Sequence, residues 1–338
     1  MNEYMGRDGF VWFQGVVEDR NDPLELGRCR VRCLGFHTED RQAIPTNSLP
    51  WAYPVQPITS ASMNGIGQTP LGPVEGTWVV GFFRDSYNCQ EPVYFGTLGG
   101  IPLGFSGGTG PSQPGFTDPN GKYPKEGFTG EADTNRLARG ITQGTIIEKK
   151  IEGASGSSYP TANSGETWAE PNTPFKATYP FNHVYESESG HVQEFDDTTD
   201  GERIHTYHKS GTFEEIHPSG DRVVKVVGDD YEFTLGEKFI HISGNTNIIV
   251  GPTGEDGEVG NFNFYVKGDA ELQVDGNVNQ VIKKDVTQTV DGKVSIESKE
   301  KEIEIKSKGN IKLESTNGNI DLTGKIITIE GDLINLNA

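Results

Sequence analysis

Long apolar runs are missing from this chain. No stretch approaches the length of a membrane-spanning helix, and no basic segment followed by an apolar core opens the N-terminus. Neither a transmembrane span nor a cleavable secretory signal is expected. Cysteine is scarce: Cys29, Cys33 and Cys89 form an odd set, too small for a disulfide framework, and point to folding in a reducing cytoplasm. Cys29 and Cys33 lie on one face of a strand-like run and invite a metal reading, but no second pair completes four ligands. Buried free thiols are the expectation, and no metal or cofactor is assigned. Positive charge is also short. With 29 Lys and Arg against 49 Asp and Glu, the net charge is −20, which argues against binding nucleic acid or an anionic membrane and favours a protein partner. Only 33% of the residues are hydrophobic, low for a large globular core, so burial is expected to be shared between chains.

Glycine is what the chain has in abundance, 44 in 338 residues, and its placement is periodic. Gly220, Gly228, Gly236 and Gly244, then Gly260, Gly268, Gly276 and Gly292, fall on one eight-residue beat, with Pro252 and Lys284 in the skipped slots. Two residues before most slots stands a branched apolar residue: Val226, Ile242, Val250, Val266, Val274, Ile282 and Val290. Fixed-period self-similarity marks a repeat architecture. Side chains alternate faces along a strand, so an even step returns each residue to its predecessor's face, while glycine offers a corner where positive φ is allowed.

Such a strand cannot bury its apolar row alone. A single chain could wind into a three-sided coil, or three chains could wrap round one axis. A single-chain coil should distinguish its three faces at a super-period of three octads, and none is visible between residues 220 and 300, so the trimer is preferred. The glycine-aspartate nonapeptide of calcium-binding solenoids is missing. Beyond Val294 the pairs persist as Ile303/Ile305, Ile311/Leu313, Ile320/Leu322, Ile327/Ile329 and Ile334/Leu336. At the strand spacing, residues 220–338 predict a needle of about 14 layers and roughly 70 Å.

The first hundred residues read differently. Strand-like runs at residues 10–18, 28–34, 77–83 and 93–98, divided by turn clusters, suit a Greek-key barrel of the oligonucleotide/oligosaccharide-binding (OB) type. Arg28, Arg30 and Arg32 alternate onto one strand face, read as solvated or protein-docking. Trp12, Trp51 and Trp78 are read as core and interface anchors.

Particular residues carry a family likeness. The run from Gly15 to Pro23, then Gly27 to Arg32, Leu49-Pro50-Trp51-Ala52 and Gly76 to Phe83, resembles the N-terminal barrel of the central-spike family of contractile phage tails. The likeness continues through Asp118 to Gly121, Asp133 to Arg139, Glu186 to His191, Glu202 to His205 and Ser210 to Thr212 into the octads. T-even-like members of that family are tail-associated lysozymes, and the valine-glycine repeat spikes of type VI secretion are more distant kin. The family's lysozyme domain would fall between barrel and needle, where this chain has a glycine-, proline- and serine-rich interval with room for one short helix between Asp133 and Lys150. No catalytic residue is carried over, since nothing there holds acids such as Glu126 or Glu131 in a dry pocket.

The expectation is therefore an all-β homotrimer: an OB-fold barrel (1–100), a flexible linker (101–176), an antiparallel collar (177–219) and a triple-stranded β-helix (220–338). Collar strands are expected at residues 183–188, 191–195, 203–208 and 212–217. His205 and His208 suggest zinc only superficially, because their odd spacing puts them on opposite faces; surface or inter-chain histidines are expected. Gln280 and Gln288 are expected to face the needle lumen. The resemblance implies a virion baseplate spike, assembled in the host cytoplasm, that docks on a hub protein through the barrel and pierces the host outer membrane mechanically. A type VI-like spike and a spike with residual peptidoglycan hydrolase activity are the alternatives. No histidine follows His241, so an iron-sharpened point is not expected. Asp332, Leu333, Ile334, Asn335, Leu336, Asn337 and Ala338 are instead expected to carry a small conical tip protein of the proline-alanine-alanine-arginine (PAAR) repeat type.

Overall fold

The structure, a computed structural model, describes residues 10–61, 66–98, 133–162, 166–251 and 260–332. Five strands, β1 (Val11–Asp19), β2 (Cys29–Cys33), β3 (Trp51–Pro54), β4 (Trp78–Phe83) and β5 (Pro92–Leu98), close into a barrel in the order β1-β2-β3-β5-β4. All neighbours are antiparallel except β3 and β5. Closure leaves no free edge. Strand alternation sends Phe13, Val17, Cys29, Val31, Cys33, Ala52, Val79, Phe83 and Tyr94 into one core. Gly81 is a glycine because of contact rather than conformation: a Cβ there would stand 2.0 Å from the Val93 carbonyl oxygen and 2.6 Å from the Phe13 ring.

The arginine row of β2 is not a solvated face. Arg32 is fully buried, pairing with Glu18 at 2.6 Å and donating to the carbonyls of Thr38 and Ile44. Arg28 is buried against Asp22, whose carboxylate also accepts from the backbone amides of Leu24 and Leu26. Arg30 is half-buried, stacked 4.4 Å from the Trp51 ring centroid. Loop segments fold over the outside of β2 and supply carboxylates and carbonyls to every guanidinium. The alternation put these three on one face but could not say what covers it. Trp51 and Trp78 are half-buried, whereas Trp12 is 54% exposed and no core anchor.

A second assembly begins at residue 133. Helices α1 (Asp133–Ala138) and α2 (Ile146–Ala154) and the two-residue strands β6 (Tyr159–Pro160) and β7 (Thr167–Trp168) precede a meander of β8 (Asn182–Glu186), β9 (Val192–Asp196), β10 (Arg203–Tyr207), β11 (Phe213–Ile216) and β12 (Arg222–Lys225). Its strands are antiparallel throughout, as the tight turns predict. The helices were not expected to belong here. Residues 133–162 and 166–176 fall in the interval read as flexible linker, yet Leu137, Ile146 and Ile147 pack with Val192, Tyr207 and Phe213 into a single core. Thr145 caps α2 by accepting from the Ile147 amide. Three well-placed apolar residues anchor helices too short to register against the surrounding glycine and serine. Residues 101–132, including Glu126 and Glu131, lie outside the described residues.

From residue 226 onward the chain forms extended segments with no strand pairing of its own, among the described residues. Its backbone bends at 227/228, 235/236, 243/244, 267/268, 275/276, 283/284, 291/292 and 299/300. The octad of the sequence is thus a geometric octad. The reason given for its glycines needs correcting, however. Of the eight corner glycines only Gly220 has a positive φ, and Gly228, Gly236, Gly244, Gly268, Gly276 and Gly292 have open space where a Cβ would stand. The corner at 283/284 is made with Lys284 and no glycine at all.

Candidate assembly surface

The collar sheet has two unlike faces. The face toward α1 and α2 carries the apolar core just described at one end and a charged cluster at the other. Arg203 bridges Glu194 (2.7 Å) and Glu215 (3.0 Å), and Lys150, reaching in from α2, pairs with Glu215 at 2.8 Å. His205 Nδ1 donates to Glu194 at 2.7 Å, leaving Nε2, 3.3 Å from Lys150, to accept from the ammonium. All five side chains are essentially withdrawn from solvent. Burial alone raises both carboxylates, but the His205 hydrogen bond and the Arg203 charge hold Glu194 at about 2, and Lys150, His205 and Arg203 hold Glu215 at about 2. Burial lowers Lys150 to about 8 against the pull of Glu215, and lowers His205 below its ordinary value. At neutral pH the cluster is two cations against two anions round a neutral imidazole. It locks α2 to the sheet rather than presenting a reactive group, since no member reaches a surface. His205 is therefore a buried intrachain residue, contrary to expectation, while His208 is exposed on the other side.

The opposite face is mixed, with the Arg222–Glu214 ion pair on it, but its apolar side chains are left uncovered among the described residues. Phe195, Ile204 and Ile216 are direct cross-strand neighbours on β9, β10 and β11, and the first two are exposed. In an ordinary sheet this would be the polar side. On β12 the exposed Val224 belongs to the same face, opposite Glu214, while Val223 and Lys225 point back to the helices. By alternation Val226 continues the Val224 row, and Val226 is the first residue of the octad's apolar row. The uncovered face of the sheet thus runs on into the apolar row of the repeat.

Along the repeat that row stays distinguishable. Ile242, Val266, Val274, Ile282 and Val290 are each the least exposed large apolar side chain of their segment, Val266 at 40% against 89% for its neighbour Tyr265. Val250 breaks this pattern, since its neighbour Ile249 is less exposed. Even so, every member of the row has more than a third of its surface open to water within the single chain. Contiguous apolar exposure of this extent marks an interaction surface. Of the expected tip residues only Asp332 is described, and it is exposed; Leu333 to Ala338 lie outside the described residues.

The barrel carries a smaller apolar feature of its own. Trp12 is ringed by Phe10, Phe82 and Phe95 at centroid distances of 5.5–5.8 Å, and Phe10, Trp12 and Phe95 are exposed on the outer wall. Cys29 and Cys33 are buried free thiols and Cys89 is half-buried. Among the described residues no group of three or more His, Cys, Asp or Glu side chains could hold a metal ion, and no helix is long and apolar enough to cross a membrane. Sequence reasoning missed the Lys150–Glu215 cluster and the uncovered sheet face. The signal for both was present in the alternation: Glu194, Arg203, His205 and Glu215 share a parity with Val192, Tyr207 and Phe213, which leaves Phe195, Ile204 and Ile216 on the other side.

The closed five-stranded wall makes the N-terminal unit an OB-type barrel, here followed by a β meander and an eight-residue β repeat. A family model described as the Gp5 N-terminal OB domain matches residues 35–180. Protein Gp5 of Vibrio phage KVP40 is 43% identical over 301 residues, covering 80% of this chain and 68% of the relative. The pre-baseplate central spike protein Gp5 of Enterobacteria phage T4 is 48% identical over 138 residues, 38% of this chain but only 22% of the relative. The chain belongs to the Gp5 family of phage baseplate proteins.

Proposed function

We propose that this chain is the central spike of a contractile-tail baseplate, a homotrimer that works mechanically and catalyses no reaction. One observation carries this reading: the apolar side chains on the outer face of the collar sheet lead through Val224 and Val226 into the apolar row of the octads, and among the described residues nothing covers either. Three copies placed round one axis cover both, each supplying strand edges and apolar rows to the others as a triple-stranded β-helix. The described part of the middle segment supports the mechanical reading, because α1 and α2 are spent packing on the sheet and form no cleft with paired carboxylates. In this arrangement the barrel docks on the hub protein through its Trp12 cluster. The C-terminal residues from Asp332 to Ala338 receive a PAAR-type tip, and sheath contraction drives the needle through the host outer envelope.

Light scattering and unheated SDS gels test the reading on the full chain. A mass near three times 36.9 kDa and an SDS-resistant band are expected. A monodisperse monomer would remove the architecture and the mechanism together. Turnover of purified cell wall by the trimer would overturn the non-enzymatic part alone.

A further inference from the structure

An eight-residue repeat that shares its core between chains has a register problem. Sliding one chain along its own path by one octad lays bend on bend and apolar row on apolar row. A strand pairing that a slip leaves nearly unchanged is weakly specified. The loops on the solvent side cannot correct it, because water accommodates them in any register.

The position four residues before each bend shows what could. It holds Val224 and Glu232 at the first two bends and then, at the octad spacing, Ile240, Ile248, Phe264, Leu272, Gln280, Gln288 and Ile296. The bends at 275/276, 283/284 and 291/292 keep their spacing through this stretch, so Gln280 and Gln288 occupy the slot that Leu272 and Ile296 fill on either side. Two adjacent amides therefore interrupt the aliphatic and aromatic run from Phe264 to Ile296. Upstream register is not handed down to them: in residues 252–259 the two slots that are apolar in the octads on either side hold Asp256 and Glu258.

We propose that Gln280 and Gln288 set the axial register of the three chains. The inference rests on the trimeric reading above. At each level three symmetry-related amides can close a ring, each NH₂ donating to the next carbonyl oxygen, so that a neutral group with both donor and acceptor satisfies itself. A one-octad slip of one chain strands a Gln280 amide between two Leu272 side chains and puts Ile296 between two Gln288. Both mismatches leave buried polar atoms unpaired, the most reliable penalty a core can impose. A lone buried polar residue fixes register in coiled coils for the same reason, at some cost in stability.

The test uses the full chain with one spin label per protomer at Lys293→Cys, in a Cys89→Ala background that leaves only buried native thiols. The parent protein should give a single intratrimer distance. The double substitution Gln280→Val with Gln288→Val should keep the trimer and its SDS resistance but add a second distance population. The off-register share should rise about tenfold or more for each amide whose mispairing no longer counts. Moving the polar pair by one octad, with Leu272→Gln and Gln288→Leu, should restore a single distance. A single sharp distance in the double valine variant overturns the proposal and leaves the trimer standing. If that variant is insoluble, the relocated pair decides: several distances there overturn the proposal equally. A parent protein that scatters as a monomer removes the trimer, and this inference with it.

Discussion

Replacing Lys150 with methionine tests whether the middle of the chain is structural, and its outcome can be worked from the cluster. The ammonium sits 2.8 Å from Glu215, 3.3 Å from His205 Nε2 and 4.0 Å from the Phe213 ring centroid, on a side chain 4% exposed. Methionine keeps the volume and loses the charge, leaving two buried carboxylates with Arg203 as their one full countercharge. Breaking a buried pair from one side costs about 3–5 kcal/mol, so opening of the collar should become at least about a hundredfold more frequent. The pH dependence should also invert. In the parent, burial and the neighbouring Lys150 keep His205 below its ordinary value of 6.5, so the unfolded state binds the extra proton and stability falls as pH drops below 6.5. Without Lys150, Glu215 is left with Arg203 and the His217 ring, whose Nε2 lies 3.0 Å away, and the neighbouring His205 loses the ammonium that opposed its protonation, so its folded-state value moves up. A raised histidine contributes stability that is fully present below 6.5 and lost as pH rises through the folded value. The variant should therefore lie closest to the parent near pH 5.5 and furthest from it near pH 8. Hydrogen exchange of peptides spanning β9 to β11, corrected for intrinsic rate, reads both effects. Parent-like protection at pH 8, or a gap that does not narrow toward pH 5.5, would refute the account of the cluster.

Three further outcomes follow from other parts of the chain. Val274→Asp combined with Ile282→Asp removes two apolar side chains per chain, each worth about 1.5–3 kcal/mol when buried, and faces three carboxylates at one level; the protein should scatter as a monomer with its barrel intact by near-ultraviolet dichroism. Arg32→Met leaves Glu18 buried beside the more exposed Arg41, and should cost the barrel about 3–5 kcal/mol by denaturant titration. Glu18 itself is held below 4.5, burial opposing and the Arg32 and Thr46 hydrogen bonds prevailing, so its contribution is present above that value and lost as pH falls through the folded one. Thiol titration of the native protein should modify Cys89 alone, because burial raises Cys33 far above and Cys29 above the ordinary thiol value; reaction of either buried thiol before denaturation would mean the barrel core is open.

What could be read from the sequence was whatever depends on counting along the chain. The octad needs only a ruler, and the meander needs alternation plus tight turns, so both were legible. The cause of the glycine beat was not. Positive φ is the usual reason for a corner glycine, yet here the corner is made without it and, at 283/284, without glycine. Also hidden was everything set by tertiary partners. Lys150 and Glu215 lie 65 positions apart, and no local pattern joins them. One short helix was allowed between Asp133 and Lys150, but a second helix and the packing of both were missed for a related reason: their hold on the sheet comes from Leu137, Ile146 and Ile147 meeting three distant strands, and six to nine helical residues carry little signal of their own.

The distribution of charge within the collar argues for the assembly from a different direction. A sheet that meets solvent on one side normally keeps charges there and apolar residues inside. In this meander Glu194, Arg203, His205 and Glu215 are turned inward beside Val192, Tyr207 and Phe213, and Phe195 and Ile204 outward beside the Glu214–Arg222 pair. Burying four such groups, with Lys150 as a fifth, is costly unless every partner is present, so the inward side would more simply have been apolar. Charge and apolar residues on both faces make sense if neither is a solvent face. One face is then closed by α1 and α2, where charge pairing fixes a single docking geometry for short helices, and the other by further copies, where apolar contact supplies the affinity. Beyond Lys225 the first kind of closure ends, since no helix follows among the described residues and no strand pairs within the chain. Self-sufficiency therefore declines along the sequence, from a barrel with its own complete core, through a collar with half of one, to a repeat with none. A chain built in that order can fold its N-terminal units alone and, on the trimeric reading proposed above, depends on its partners to form the needle.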